Sequence, residues 1–61
     1  MGNLYIARDK DGSLWIYGRK PKRDGTVFRP QLGDEAIDVY SGLFSNVKWE
    51  NSPQVLEARG L

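Results

Sequence analysis

Asp11-Gly12 stands between two alternating runs, Leu4-Tyr5-Ile6-Ala7-Arg8 and Leu14-Trp15-Ile16-Tyr17. No other feature constrains the chain so tightly. Asp-Gly flanked by alternating apolar residues is the strongest short-range hairpin signal, because Gly takes up positive φ without a Cβ clash. A three-residue loop over Lys10-Asp11-Gly12 sets Tyr5 opposite Tyr17, Ile6 opposite Ile16 and Ala7 opposite Trp15. A two-residue loop over Asp11-Gly12 instead sets Ile6 against Tyr17 and mixes the faces. A slip of one residue moves every side chain to the other side of the ribbon, so the register that keeps like with like is the expected one.

The rest of the chain is read in the same way. Arg19-Lys20-Pro21-Lys22-Arg23-Asp24-Gly25-Thr26 has the Pro, the Asp-Gly and the charge density of a loop. Val27-Phe28-Arg29 reads as a short strand, closed by Pro30, which has no N–H to donate. Leu32-Gly33-Asp34-Glu35 is a connector, and Ala36-Ile37-Asp38-Val39-Tyr40 alternates as a further strand. Ser41 to Asn46 forms a turn or a single helical turn that tucks Leu43 and Phe44 inward. Val47-Lys48-Trp49-Glu50 alternates once more, Asn51-Ser52-Pro53 turns the chain, and Gln54 to Ala58 is the last strand. No stretch keeps a helical period over the 11 or so residues that a helix needs. The expectation is one all-β domain over residues 1–61: a small antiparallel sheet or partly closed barrel of four or five strands, with one short helical turn near residues 41–46.

Composition narrows the chemistry. The chain has 61 residues, nine Lys and Arg, eight Asp and Glu, no Cys and no His. Disulfides, zinc fingers, thiolate nucleophiles and imidazole bases are therefore excluded. General acid–base work would fall to carboxylates, and the Asp34-Glu35 pair sits in a connector beside Gly33, where water keeps both groups ordinary. Asp9-Lys10-Asp11-Gly12 carries part of a calcium-loop pattern. Aligning Gly12 on the loop glycine puts Ala7 and Gly18 at the first and last ligand positions, so the match fails. Asp9 and Asp11 read instead as turn residues bonding to their own backbone. No enzyme, cofactor or metal is expected. The longest apolar run is four residues, too short for a secretory signal or a membrane span, and the expected setting is cytoplasmic.

Both faces of the first hairpin are apolar. Leu4, Ile6, Leu14 and Ile16 line one side; Tyr5, Ala7, Trp15 and Tyr17 line the other. An antiparallel sheet commonly keeps one face polar. Either later segments such as Leu43-Phe44 or Trp49 fold over the aromatic side, or that side stays partly open to a ligand. Beside it runs the basic loop, with Arg19, Lys20, Lys22 and Arg23, followed by Arg29. Cations next to rings on a β surface are what single-stranded nucleic-acid binders use. A solvated loop that keeps a sheet edge soluble uses the same residues, and the nearly neutral chain argues against a dedicated nucleic-acid domain. Aromatic and Arg patches are also common anchors of protein interfaces, and a chain this short gains from covering apolar surface with a partner or a second copy. The expected function is therefore a non-catalytic binding or accessory module acting through a protein partner. Weak single-stranded nucleic-acid binding is the alternative. The candidate contact residues for either are Tyr5, Trp15, Tyr17, Arg19, Lys20, Lys22, Arg23 and Arg29.

Tyr5-Ile6-Ala7-Arg8-Asp9-Lys10-Asp11-Gly12, Leu14-Trp15-Ile16-Tyr17 and Leu43-Phe44 with Val47-Lys48-Trp49-Glu50 together resemble short, uncharacterised proteins of bacterial and phage or prophage genomes. The likeness spans most of the chain, with residues 30–40 and the Asn51-Ser52-Pro53 turn matching less. Its motifs are a hairpin turn and core aromatics. The resemblance implies a phage or bacterial origin and no activity, ligand or catalytic residue.

Overall fold

The fold is all-β, with its strands in two antiparallel sheets, in a computed structural model that describes residues 3–56. The first hairpin forms as its sequence demands. Strand β1 (Leu4–Arg8) pairs antiparallel with β2 (Leu14–Tyr17), placing Tyr5 on Tyr17, Ile6 on Ile16, Ala7 on Trp15 and Arg8 on Leu14. The turn is closed by the Asp9 N–H donating to the Ser13 carbonyl at 2.8 Å and the Gly12 N–H donating to the Asp9 carbonyl at 2.9 Å. Gly12 has φ +99°, a conformation that L side chains resist. Asp11 accepts the Ser13 N–H at 2.9 Å, which holds its carboxyl below the usual value. The Asp9 side chain, unlike its main chain, does not serve the turn as expected. It is buried, and its carboxylate accepts the Phe28 N–H at 2.9 Å, tying the turn to a distant strand.

The basic segment does not remain a loop. Lys22–Asp24 forms β3, paired antiparallel with β4 (Val27–Arg29) in a separate two-stranded sheet. The main sheet is completed by β5 (Ala36–Val39) beside β2 and β6 (Gln54–Leu56) beside β1, in the order β5-β2-β1-β6. Among the described residues there are therefore six strands in two sheets rather than four or five in one, and no closed barrel. Of the expected last strand, Glu57 and Ala58 lie outside the described residues.

Residues 41–49 depart most from expectation. Leu43 and Phe44 are not tucked inward but exposed, and Phe44 takes φ +52°. The inward residue is Val47, which is buried. Val47-Lys48-Trp49-Glu50 forms no strand: a single 3-10 turn covers Trp49–Asn51, so the helical turn falls after residues 41–46 rather than within them. Asn51 explains the difference. Its side-chain oxygen accepts the Lys48 N–H at 2.8 Å and its amide donates to the Asn46 carbonyl at 3.0 Å, so local side-chain bonds replace ladder bonds.

The two faces of the central hairpin support two separate clusters. On the aliphatic side, Ile6, Leu14 and Val47 are buried, with Ile16, Val39 and Leu56 packed against them. On the aromatic side, Ala7, Tyr17 and Phe28 are buried, with Tyr5, Trp15, Ala36 and Trp49 around them. The β3–β4 sheet and Trp49 thus fold over the aromatic side, and Leu43-Phe44 takes no part in covering it.

Candidate binding surface

On the aromatic side, alternation along β3 and β4 turns Arg23 and Phe28 to the same face, since they are cross-strand partners. The Arg23 guanidinium lies 3.9 Å from the Trp49 ring centroid and 5.3 Å from that of Phe28, and it donates to the Trp49 carbonyl at 2.8 Å. Phe28 meets Trp49 edge to face at 5.4 Å. Cation–π contacts of this kind contribute about 0.5–1 kcal/mol when exposed, so Arg23 serves the packing of β3 onto the sheet. Arg29 pairs with Asp24 across the same hairpin.

The other candidates disperse. Tyr17 is buried, and its hydroxyl donates weakly to the Phe28 carbonyl at 3.4 Å. Burial, with a smaller contribution from the Asp9 carboxylate, pushes the Tyr17 hydroxyl up to about 12. Tyr5 and Trp15 are half-buried, while Arg19, Lys20 and Lys22 are exposed. Arg19 and Lys20 contribute backbone: the Arg19 N–H donates to Asp34 at 3.0 Å and the Lys20 carbonyl accepts from Gln31 at 2.7 Å. Asp34 is thus a structural acceptor in the connector. Trp15, Tyr17 and Arg29 do share a place, a shallow cleft of about 350 Å³ whose walls also include Pro30 and Ala36.

The aliphatic side is covered over only part of its area. Arg8 is even-numbered and projects to this side with Ile6. A guanidinium has five N–H groups, and those of Arg8 reach five main-chain carbonyls, of Gly12, Ser41, Leu43, Phe44 and Val47, at 2.6 to 3.1 Å. This clamp, which nothing in the sequence pattern announced, lays residues 41–47 over the Leu14 and Val39 end. Toward the other end Leu4 and Ile16 stay half-buried, and Ile37, the cross-strand neighbour of Ile16, is 62% exposed. Leu43 and Phe44, on the clamped loop, are themselves 50% and 40% exposed. Such a patch is the signal that sequence reasoning missed, because Ile37 reads as a core residue of an alternating strand.

Among the described residues, no group of three or more acidic side chains is placed to hold a metal ion, and no helix is long and apolar enough to cross a membrane. Compared with protein-family models, curated protein sequences and solved structures, the chain matches none.

Proposed function

We propose that this protein is a small non-catalytic accessory module that works by binding another protein chain through the open part of its aliphatic face. The exposure of Ile37 beside half-buried Ile16 and Leu4 carries this reading. Contiguous apolar surface rimmed by polar groups is characteristic of interaction sites, and a domain with few buried side chains has little reason to leave an Ile in water. A cytoplasmic setting and descent from the short bacterial and phage proteins that the sequence resembles belong to the same proposal. Its non-catalytic character rests on the missing His and Cys and on Asp34 being engaged as an acceptor.

Single-stranded nucleic-acid binding draws less support. Tyr17 offers no ring face to a base, Arg23 already stacks on Trp49, and Arg29 already pairs with Asp24. A photo-crosslinking residue placed at position 37 or 44, in a lysate of the source cells, tests the protein reading. The expected result is an adduct of one shared mass from both positions and none from position 10, on the hairpin turn. Absence of adducts, or the same adducts from all three, overturns it. A labelled oligonucleotide titrated at low and moderate salt is expected to show no saturable, salt-sensitive binding.

A further inference from the structure

The outer edge of β5 lies next to the open face, and among the described residues no strand pairs with it. β5 is the terminal strand of the four-stranded sheet, bonded to β2 on one side. Among the described residues, no main-chain hydrogen bond from outside the sheet reaches Ala36–Val39. Natural edges are commonly blunted by Lys, Pro or a bulge. Ala36-Ile37-Asp38-Val39 has no Lys and no Pro, and it pairs with β2 in continuous register. We infer that this edge accepts an extended, basic segment of a partner protein, which joins the sheet as an added strand. The inference rests on the protein-partner reading above and gives that partner its chemistry.

Charge selects the occupant. From Pro30 to Val47 the chain carries Asp34, Glu35 and Asp38 and no Lys or Arg. Among the described residues the only ion pair joins Arg29 to Asp24, leaving the Glu35 and Asp38 carboxylates unpaired. Asp38 is the cross-strand neighbour of Trp15, so it faces the aromatic side. On the same side Trp15 and Ala36 wall a cleft together with Arg29 and Pro30. A Lys or Arg of an added strand that stands opposite Asp38 on this side sets its head at that carboxylate. The two charges that line that cleft are already engaged, Arg29 by Asp24 and Asp9 by the Phe28 N–H. On the opposite face the added strand meets Ile37, which asks for an apolar residue. The segment therefore alternates basic and apolar residues, the usual division of labour when backbone bonds give affinity and alternate side chains give selectivity. A second copy of the same strand would bring carboxylates to carboxylates.

The test uses a fluorescein-labelled peptide of about six residues alternating Val and Lys. Its binding is followed by anisotropy and by amide chemical shifts of the full chain. Binding at least about tenfold tighter than that of a Val and Glu peptide is expected, with shift changes centred on residues 36–39. Asp38→Lys is expected to reverse the preference, and N-methylation of alternate peptide amides to abolish binding. Equal binding of both peptides, shift changes centred elsewhere, or no binding at about 1 mM overturns the inference. Crosslinked adducts from positions 37 and 44 that persist when the peptide fails to bind would sink the edge alone and leave the partner reading standing. Peptide binding at 36–39 without any adducts would do the reverse.

Discussion

Two side chains of the first hairpin hold parts of the molecule that are far from it in sequence. Arg8 donates to five carbonyls, four of them in the 41–47 loop. Lysine in its place has a single ammonium that cannot reach several of them in one plane. Arg8→Lys is expected to destabilise the fold by about 2–4 kcal/mol, as hydrogen bonds from charged donors contribute about 1.5–3 kcal/mol each and some are regained from water. The check is chemical denaturation, with broadened amide signals of the loop as a second readout. Tyr17 gives a pH-dependent test. Its hydroxyl titrates near 12 in the fold against an ordinary value of 10.0, so the folded state holds that proton more tightly than the unfolded one. The contribution is whole below pH 10 and is lost as pH rises toward 12. The melting temperature is expected to fall more steeply over that window in the native protein than in Tyr17→Phe. Parallel slopes would contradict the burial of that hydroxyl.

At the scale of elements, β1, β2, β4, β5 and the described part of β6 were legible, and so was the pairing of the first two, because Asp11-Gly12 and strict alternation leave one register that sorts aliphatic from aromatic. Gly12→Val is expected to cost about 1–3 kcal/mol by forcing a β-branched residue to positive φ, measured as a lower melting temperature. An unchanged value would contradict the turn. Strand β3 was not legible, because Lys22-Arg23-Asp24 carries no apolar residue. What makes it a strand is tertiary: Arg23 on Trp49, and Asp24 with Arg29. The 3-10 turn was hidden by an alternation that Asn51 overrides with local bonds. Of the candidate contacts, Trp15, Tyr17 and Arg29 line one cleft, while Arg23 stacks on Trp49. The alternation shows that both faces of the hairpin are apolar, but not which one a later segment will cover.

For the whole molecule, the two clusters have no buried residue in common and pack on opposite faces of the β1–β2 ribbon. Opening the ribbon exposes both at once, so its amides, at Ile6, Ala7, Trp15 and Ile16, are expected to exchange with solvent only through global unfolding. Amides of β5 and of residues 41–46 should exchange earlier, through local opening. Equal protection throughout would show that the face with Ile37 is as firmly held as the ribbon. A partner that covers that face raises stability by mass action, and the gain should appear first in the β5 amides.

The placement of Arg8 has one more effect. Because it stands at an even position of β1, the pairing that buries Ile6 with Leu14 also aims its guanidinium at the chain segment it must capture. A ribbon shifted by one step would send that cation into the ring-lined side and leave four carbonyls of the segment without their donor. Capture of the segment therefore depends on strand alignment, so the correct hairpin gains stability from a stretch of chain some thirty residues away.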